Sequence, residues 1–356
     1  MEILVANIII ISFYGIILAN WPISIEKRKK TFLCFAFIHL LLLNLFKEPT
    51  AFPDLDEYDI YFNEISTSFS NFLSEKEGDR VEWGWFFLNK ILHMIFNDNS
   101  FVLIILMAVL TLGIYMLDIY KYSRCLWLSV FILFCTNYYP SLFILRQHLA
   151  IPICFFSIQY ILNRSFKKFI TCVLIAMLFH YSAVIWILAY FVYPLRFQVK
   201  HIFYSILGLF IFARIMEWLL ENIALVLPIV ASYGVDAFGG VATEGGAFKP
   251  FMFDLFVILL VIGAFKGLKN INGINWFCLL MLYISLLIDV FHIVGSAFAE
   301  FSRLGLYFGT CSIFLVPNAI MQIKNKYVKI LITFVICVLY IFTLNAFCNY
   351  GYKFAF

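Results

Sequence analysis

The sequence predicts an all-α polytopic integral membrane protein, on three observations. Of its 356 residues 64% are hydrophobic and only 13% charged, with a mean hydropathy of +0.96. A water-soluble core of this size does not need so much apolar surface, whereas each helix crossing a ~30 Å hydrocarbon layer needs roughly 20 apolar residues. The apolar runs are also continuous, as in Ile8 to Ile11, Leu40 to Leu43 and Phe101 to Leu112, where membrane strands would alternate apolar and polar residues. Finally, the charges gather between the runs, so the net +4 follows the membrane and implies no nucleic-acid partner. The expected architecture is a single membrane-embedded domain, 1–356, of about 10–12 transmembrane or re-entrant helices. Outer loops over 47–99 and 221–250 and a short interfacial helix on the outer face complete it.

Each element follows from length and flanking charge. Ile3 to Ala19 lacks a basic leader and a small-residue cleavage site, so it reads as a retained span. It meets Lys27, Arg28, Lys29 and Lys30, which the positive-inside rule assigns to the cytoplasm. Phe32 to Phe46 crosses back and delivers Lys47 to Arg80 outside, with Asp54, Asp56, Glu57, Asp59, Glu64, Glu75, Glu77 and Asp79. Glu82 to Phe96, aromatic but too polar and too short to span, lies at the outer interface. Phe101 to Tyr120 enters to Lys121 and Arg124, Leu126 to Ile144 leaves, and Leu149 to Leu162 returns to Arg164, Lys167 and Lys168. Phe169 to Leu195 is too long for one span, yet basic residues flank both ends. Two short helices joined near His180 satisfy that parity and carry the imidazole outward, whereas one tilted span would invert everything after it. His201 to Leu220, Phe251 to Phe265, Trp276 to Phe291, Leu304 to Gln322 and Ile330 to Phe347 complete the set, with a glycine-rich loop tip at 234–246 and the C-terminus outside.

The loop charges agree with this orientation. The assigned inner loops hold most of the 25 Lys and Arg, but of the 21 acids only Glu26 and the flanking Asp118. The nine Cys fall mainly inside apolar runs with no metal-type spacing, so they read as small core residues.

Polar residues inside such a chain mark its chemistry, because a central Arg costs roughly 2.5 to 3.5 kcal/mol to insert. Arg146, Gln147 and His148 interrupt one apolar run and His180 another. With Glu82 and Arg303, they fall at or near the outer face. An outer site with two Arg suits a phosphate-bearing substrate, because guanidinium stays charged and offers paired donors to phosphate oxygens. Trp83, Trp85, Tyr138 and Tyr139 could stack on sugar rings or simply form an interfacial belt. Plainer roles stand beside each candidate. Arg146 could snorkel to lipid phosphate, Arg303 pair with Glu300, His180 bond a carbonyl in the core, and Glu82 cap the interfacial helix. Asp254 and Asp289 are intramembrane acids, either partners of a buried Arg such as Arg214 or part of an ion path.

Five blocks in order carry a family resemblance: Asp54-Leu-Asp-Glu-Tyr-Asp-Ile-Tyr61, Glu82-Trp-Gly84, Leu145-Arg-Gln-His-Leu-Ala150, Ala176-Met-Leu-Phe-His-Tyr-Ser-Ala183 and Arg303-Leu-Gly-Leu-Tyr-Phe308. By these the chain resembles the EpsG family, which is similar to the Wzy-type polysaccharide polymerases. The resemblance implies a glycosyltransferase of the bacterial plasma membrane, with its site facing outside. It would polymerise polyprenyl-diphosphate-linked oligosaccharide repeat units into capsule, O-antigen or exopolysaccharide. Donor and acceptor units and membrane lipids are the implied partners, with a flippase and a chain-length regulator of the same pathway. It also implies catalytic roles for Arg146, Arg303, His180 and Glu82, and substrate contacts from Asp56, Tyr61, Gln147 and Tyr181. Fixed guanidinium groups could stabilise a departing diphosphate without a metal, so no metal or cofactor is expected. Glu82 is the favoured base, with His180 hydrogen-bonding near the phosphates. Two alternatives remain: a flippase for lipid-linked oligosaccharide, which should show internal repeats and midplane polar groups, and a membrane acyltransferase.

Overall fold

The computed structural model describes residues 2–19, 21–52, 54–70, 72–226, 248–294, 301–347 and 352–355. The predicted loop tip at 234–246, Asp236 and Glu300 lie outside the described residues. The all-α class is what the structure has: among the described residues the regular elements are helices, and one isolated bridge joins Lys47 to Phe354. Among the described residues three helices, Phe101–Tyr122, Gly273–Val290 and Lys326–Leu344, are long and apolar enough to cross a membrane. The described cysteines are free thiols.

The chain forms two compact units, Met1–Ile187 with Asn325–Phe356, and Leu188–Lys324. In the first, helices Glu2–Ala19, Ile25–Leu45 and Phe101–Tyr122 pack together, and Leu145–Phe156 packs on Phe101–Tyr122 and Phe166–Met177. The helix beginning at Leu126 widens into a π turn over Phe134–Tyr138 before Pro140. A proline has no N–H to give the preceding turn, and one wide turn accommodates that loss. Phe166–Met177 stops where expected. His180 is extended at φ −156°, ψ 115°, and a tight helical turn, Tyr181–Trp186, follows before Ile187–Val192.

The predicted outer loop carries more structure than its polarity suggests, because Leu55–Glu64 and Phe72–Gly78 are helices beside Trp83–Phe96. Its lysines turn inward. Lys90, wholly buried, bonds the Ser66 carbonyl at 2.5 Å and the Glu75 carboxylate at 2.6 Å. Lys76 donates to the carbonyls of Asp79 and Val81 at 2.9 and 2.7 Å and lies over Trp83.

Contacts between distant loops of this unit join segments that the charge pattern puts on the same side. At one end the Tyr120 hydroxyl meets the Glu26 carboxylate, and Lys121 Nζ reaches Gln159 Oε1 at 2.6 Å. At the other, Lys47 Nζ donates to Asn44 Oδ1 at 2.9 Å and to the Leu142 carbonyl at 2.5 Å. Glu48 N–H reaches the Lys353 carbonyl at 2.9 Å and Ala355 N–H the Phe46 carbonyl at 3.0 Å.

In the second unit Phe301–Gly309 packs on Gly273–Val294. A Cβ on Gly309 would lie 2.9 Å from the Ser285 hydroxyl oxygen, and one on Gly305 3.8 Å from it. Two glycines four apart let helix backbones approach closely, and they fix the helix that carries the exposed Arg303. The expected run Leu304 to Gln322 is two helices, the second being Ser312–Ile320 with Pro317 inside it.

Candidate functional site

The site is built where two helix ends meet. Helix Phe166–Met177 leaves its last carbonyls without partners inside the helix, and Trp83–Phe96 leaves its first N–H groups likewise. They satisfy one another: Gly84 and Trp85 donate N–H to the Leu178 carbonyl at 2.8 and 3.1 Å. The approach is so close that a Cβ on Gly84 would lie 2.7 Å from both Leu178 Cβ and the Leu178 carbonyl oxygen. Only glycine fits there. Glu82 and His180, 98 residues apart, are thereby brought together.

Glu82 occupies the N-cap position of Trp83–Phe96, but its side chain makes no cap hydrogen bond. It is 4% exposed and points into a polar cluster. One carboxylate oxygen accepts from Arg146 Nη1 at 2.6 Å. The other meets His180 Nδ1 at 3.1 Å and accepts the Tyr181 N–H at 3.2 Å. Burial pushes its pKa up, but the His180 hydrogen bond, the Arg146 charge and the backbone N–H groups outweigh that and hold it at about 2. Glu82 is therefore a permanent carboxylate. Because a carboxylate only accepts, His180 Nδ1 carries the proton and its Nε2 is turned to other partners.

Arg146 stands in the first turn of Leu145–Phe156, where a helix dipole disfavours a cation. Burial also works against its charge, and Glu82 and the Tyr58 hydroxyl more than offset both. Its guanidinium lies 5.9 Å from the centroid of the Trp85 ring, and Tyr58 packs on the same ring at 5.0 Å. Its Nε is buried without a partner. The Arg146 and His180 side chains each keep 29% exposure, so the cluster is open on the side of its cation and its imidazole.

Of the predicted substrate residues, Tyr181 serves Glu82 through its backbone, and its ring is 48% exposed. Tyr61 donates its hydroxyl to Asp79 at 2.5 Å, near enough to Arg146 to feel its charge. Gln147 is buried, and Asp56 is exposed on Leu55–Glu64. Arg303 belongs to the other unit, and the cluster around Glu82 is built without it. Tyr58, Trp85 as a guanidinium platform and the Gly84–Leu178 contact went unassigned in the sequence. Tyr58 shares a helix face with Tyr61, three residues on, and that spacing was the available signal.

Fold and site define a membrane-embedded helical protein whose buried carboxylate binds an arginine and a histidine from different helices at one end of a bundle. The chain belongs to the EpsG family, whose sequence profile matches residues 5–354, a family of Wzy-like polysaccharide polymerases. No curated protein and no solved structure matches it.

Proposed function

We propose that this protein is a multi-pass polymerase of the bacterial plasma membrane. It joins polyprenyl-diphosphate-linked oligosaccharide repeats into surface polysaccharide, with the Glu82–Arg146–His180 cluster as its centre, facing outside. The observation that carries the reading is that cluster: Arg146 and His180, from two sequence-distant blocks, converge on the carboxylate of Glu82 in a third. In the reaction the bond between the growing chain's anomeric carbon and the lipid diphosphate breaks. The diphosphate leaves with the electron pair, and an acceptor sugar hydroxyl forms the new bond to that carbon.

The residues divide this work by their chemistry. Glu82, ionised at any working pH, is a poor base and serves as a clamp. It fixes the guanidinium with one oxygen and the imidazole with the other. His180 Nε2 takes the hydroxyl proton as general base, and the imidazolium that forms is stabilised by Glu82. This reverses the roles that the sequence favours for the pair. Arg146 faces the departing diphosphate with its remaining donors, a charge fixed before the reaction begins. Trp85 and Tyr58 hold the guanidinium plane. A flippase that delivers the repeats and a chain-length regulator complete the setting. The test is reconstitution: purified protein in vesicles should extend synthetic lipid-linked repeats, with chelator present, into a ladder of products. Vesicles that move the repeats across the bilayer without joining them would replace this reading with that of a flippase.

A further inference from the structure

The helix that carries Arg146 also holds an imidazole that the proposed reaction does not use. His148 lies two residues after Arg146 on Leu145–Phe156, is wholly buried, and has no hydrogen-bond partner for either ring nitrogen. It is within electrostatic range of His180, and its helix packs against Phe166–Met177 and the Tyr181–Trp186 turn, the two elements that flank His180. A buried polar group with no partner costs free energy that a leucine at the same place would not.

The chemistry of the missing partner can be read from the ring. A neutral imidazole has one N–H donor and one bare acceptor nitrogen. Phosphate, which mainly accepts, would leave the bare nitrogen unsatisfied, and a second cation is disfavoured this close to Arg146 and His180. A hydroxyl both donates and accepts, so it answers the ring. We propose that His148 is a hydroxyl-binding residue near His180, and that the hydroxyl it holds, from an ordered water or a substrate sugar, positions the His180 ring by packing against it and leaves Nε2 free. The second half rests on the polymerase reading above, and the first half does not. His148 is thus a positioning residue, acting through His180.

Two measurements decide it. In protein labelled with nitrogen-15 histidine and held in lipid nanodiscs, the His148 resonances are assigned by their loss in His148→Gln. A hydrogen-bonded nitrogen without substrate identifies water, and hydrogen bonding that appears only with a synthetic lipid-linked repeat identifies a sugar hydroxyl. Two unbonded nitrogens under both conditions overturn the proposal. In the extension assay His148→Phe should lower kcat about tenfold or more with KM within about twofold, the signature of a displaced catalytic group. His148→Gln, which keeps a donor and an acceptor, should recover most of that loss. Wild-type kcat in His148→Phe would overturn the positioning role. Wild-type protein that extends no repeat refutes the polymerase reading and with it the positioning role, while the nanodisc spectra still decide whether His148 binds a hydroxyl.

Discussion

Two buried ion clusters lie in the same unit of this protein, and they are finished differently. Around Lys90 the cation is enclosed: the wholly buried ammonium bonds Ser66 and Glu75, and Phe69 and Phe86 lie under it at 5.4 and 5.8 Å. Around Glu82 it is the acceptor that is enclosed, with three contacts on its two oxygens, while the cation and the imidazole keep capacity in reserve. Arg146 Nε has no partner, and both side chains are partly open. In the reading proposed above, the difference separates an ion pair that holds a loop together from one that is prepared for a ligand. Burial and charge alone would not separate them. A closed cluster is tested by stability, and an open one by turnover.

The largest effect expected of this contrast is at the two cations. Arg146→Lys should reduce polymer per molecule by about a hundredfold or more, since losing one fixed donor to a developing charge commonly costs that much, with membrane abundance unchanged. Lys90→Met should do the reverse, lowering abundance by leaving Glu75 and the Ser66 carbonyl without their partner, with output per surviving molecule near wild type. Immunoblotting of membranes beside polysaccharide measurement reads both. Normal abundance with lost output in Lys90→Met would erase the distinction.

A smaller effect is expected from the backbone contact that assembles the open cluster. Gly84→Ala puts a methyl 2.7 Å from the Leu178 carbonyl oxygen, so the start of Trp83–Phe96 must retreat and take Glu82 from His180. A fall of about tenfold in output is expected, because small misplacements of reacting groups are costly. Gly78→Ala meets nothing within 4 Å and serves as the silent control from the same loop.

The acid limb of stability offers a subtler test. Glu82 ionises at about 2 in the folded protein against an ordinary 4.5, so its folded pKa is depressed. Its contribution is complete above about 4.5 and is lost as pH falls towards 2. Melting temperatures of wild type and Glu82→Gln should therefore converge over that window. A constant gap between them would mean that the carboxylate is not held ionised. The smallest change belongs to Tyr61→Phe, which removes one hydrogen bond to Asp79. A net worth of about 1 kcal/mol limits the fall in kcat to roughly fivefold.

Much of this was legible before any coordinates. The break at His180 follows from run length and flanking charge. The helical class follows from unbroken apolar runs. Of the four residues singled out as costly in lipid, Arg146 and His180 share the Glu82 carboxylate, because buried charge requires a partner, while Gln147 and His148 lie buried outside that contact. The inward lysines Lys76 and Lys90 were hidden, since an acidic loop reads as solvated when taken residue by residue. Hidden too was the division of labour within the cluster, because composition says nothing about which oxygen faces which donor.

By itself, the sequence determined the class of the protein, the order of its helices and the few polar residues that an apolar chain retains against their cost. These depend on run length, charge and residue type, all local quantities. Only the tertiary structure decided that Glu82 holds both Arg146 and His180, that Gly84 must lack a side chain and that His148 is buried with neither ring nitrogen bonded. Each of those depends on distances between segments remote in the chain, set where the end of one helix meets the start of another.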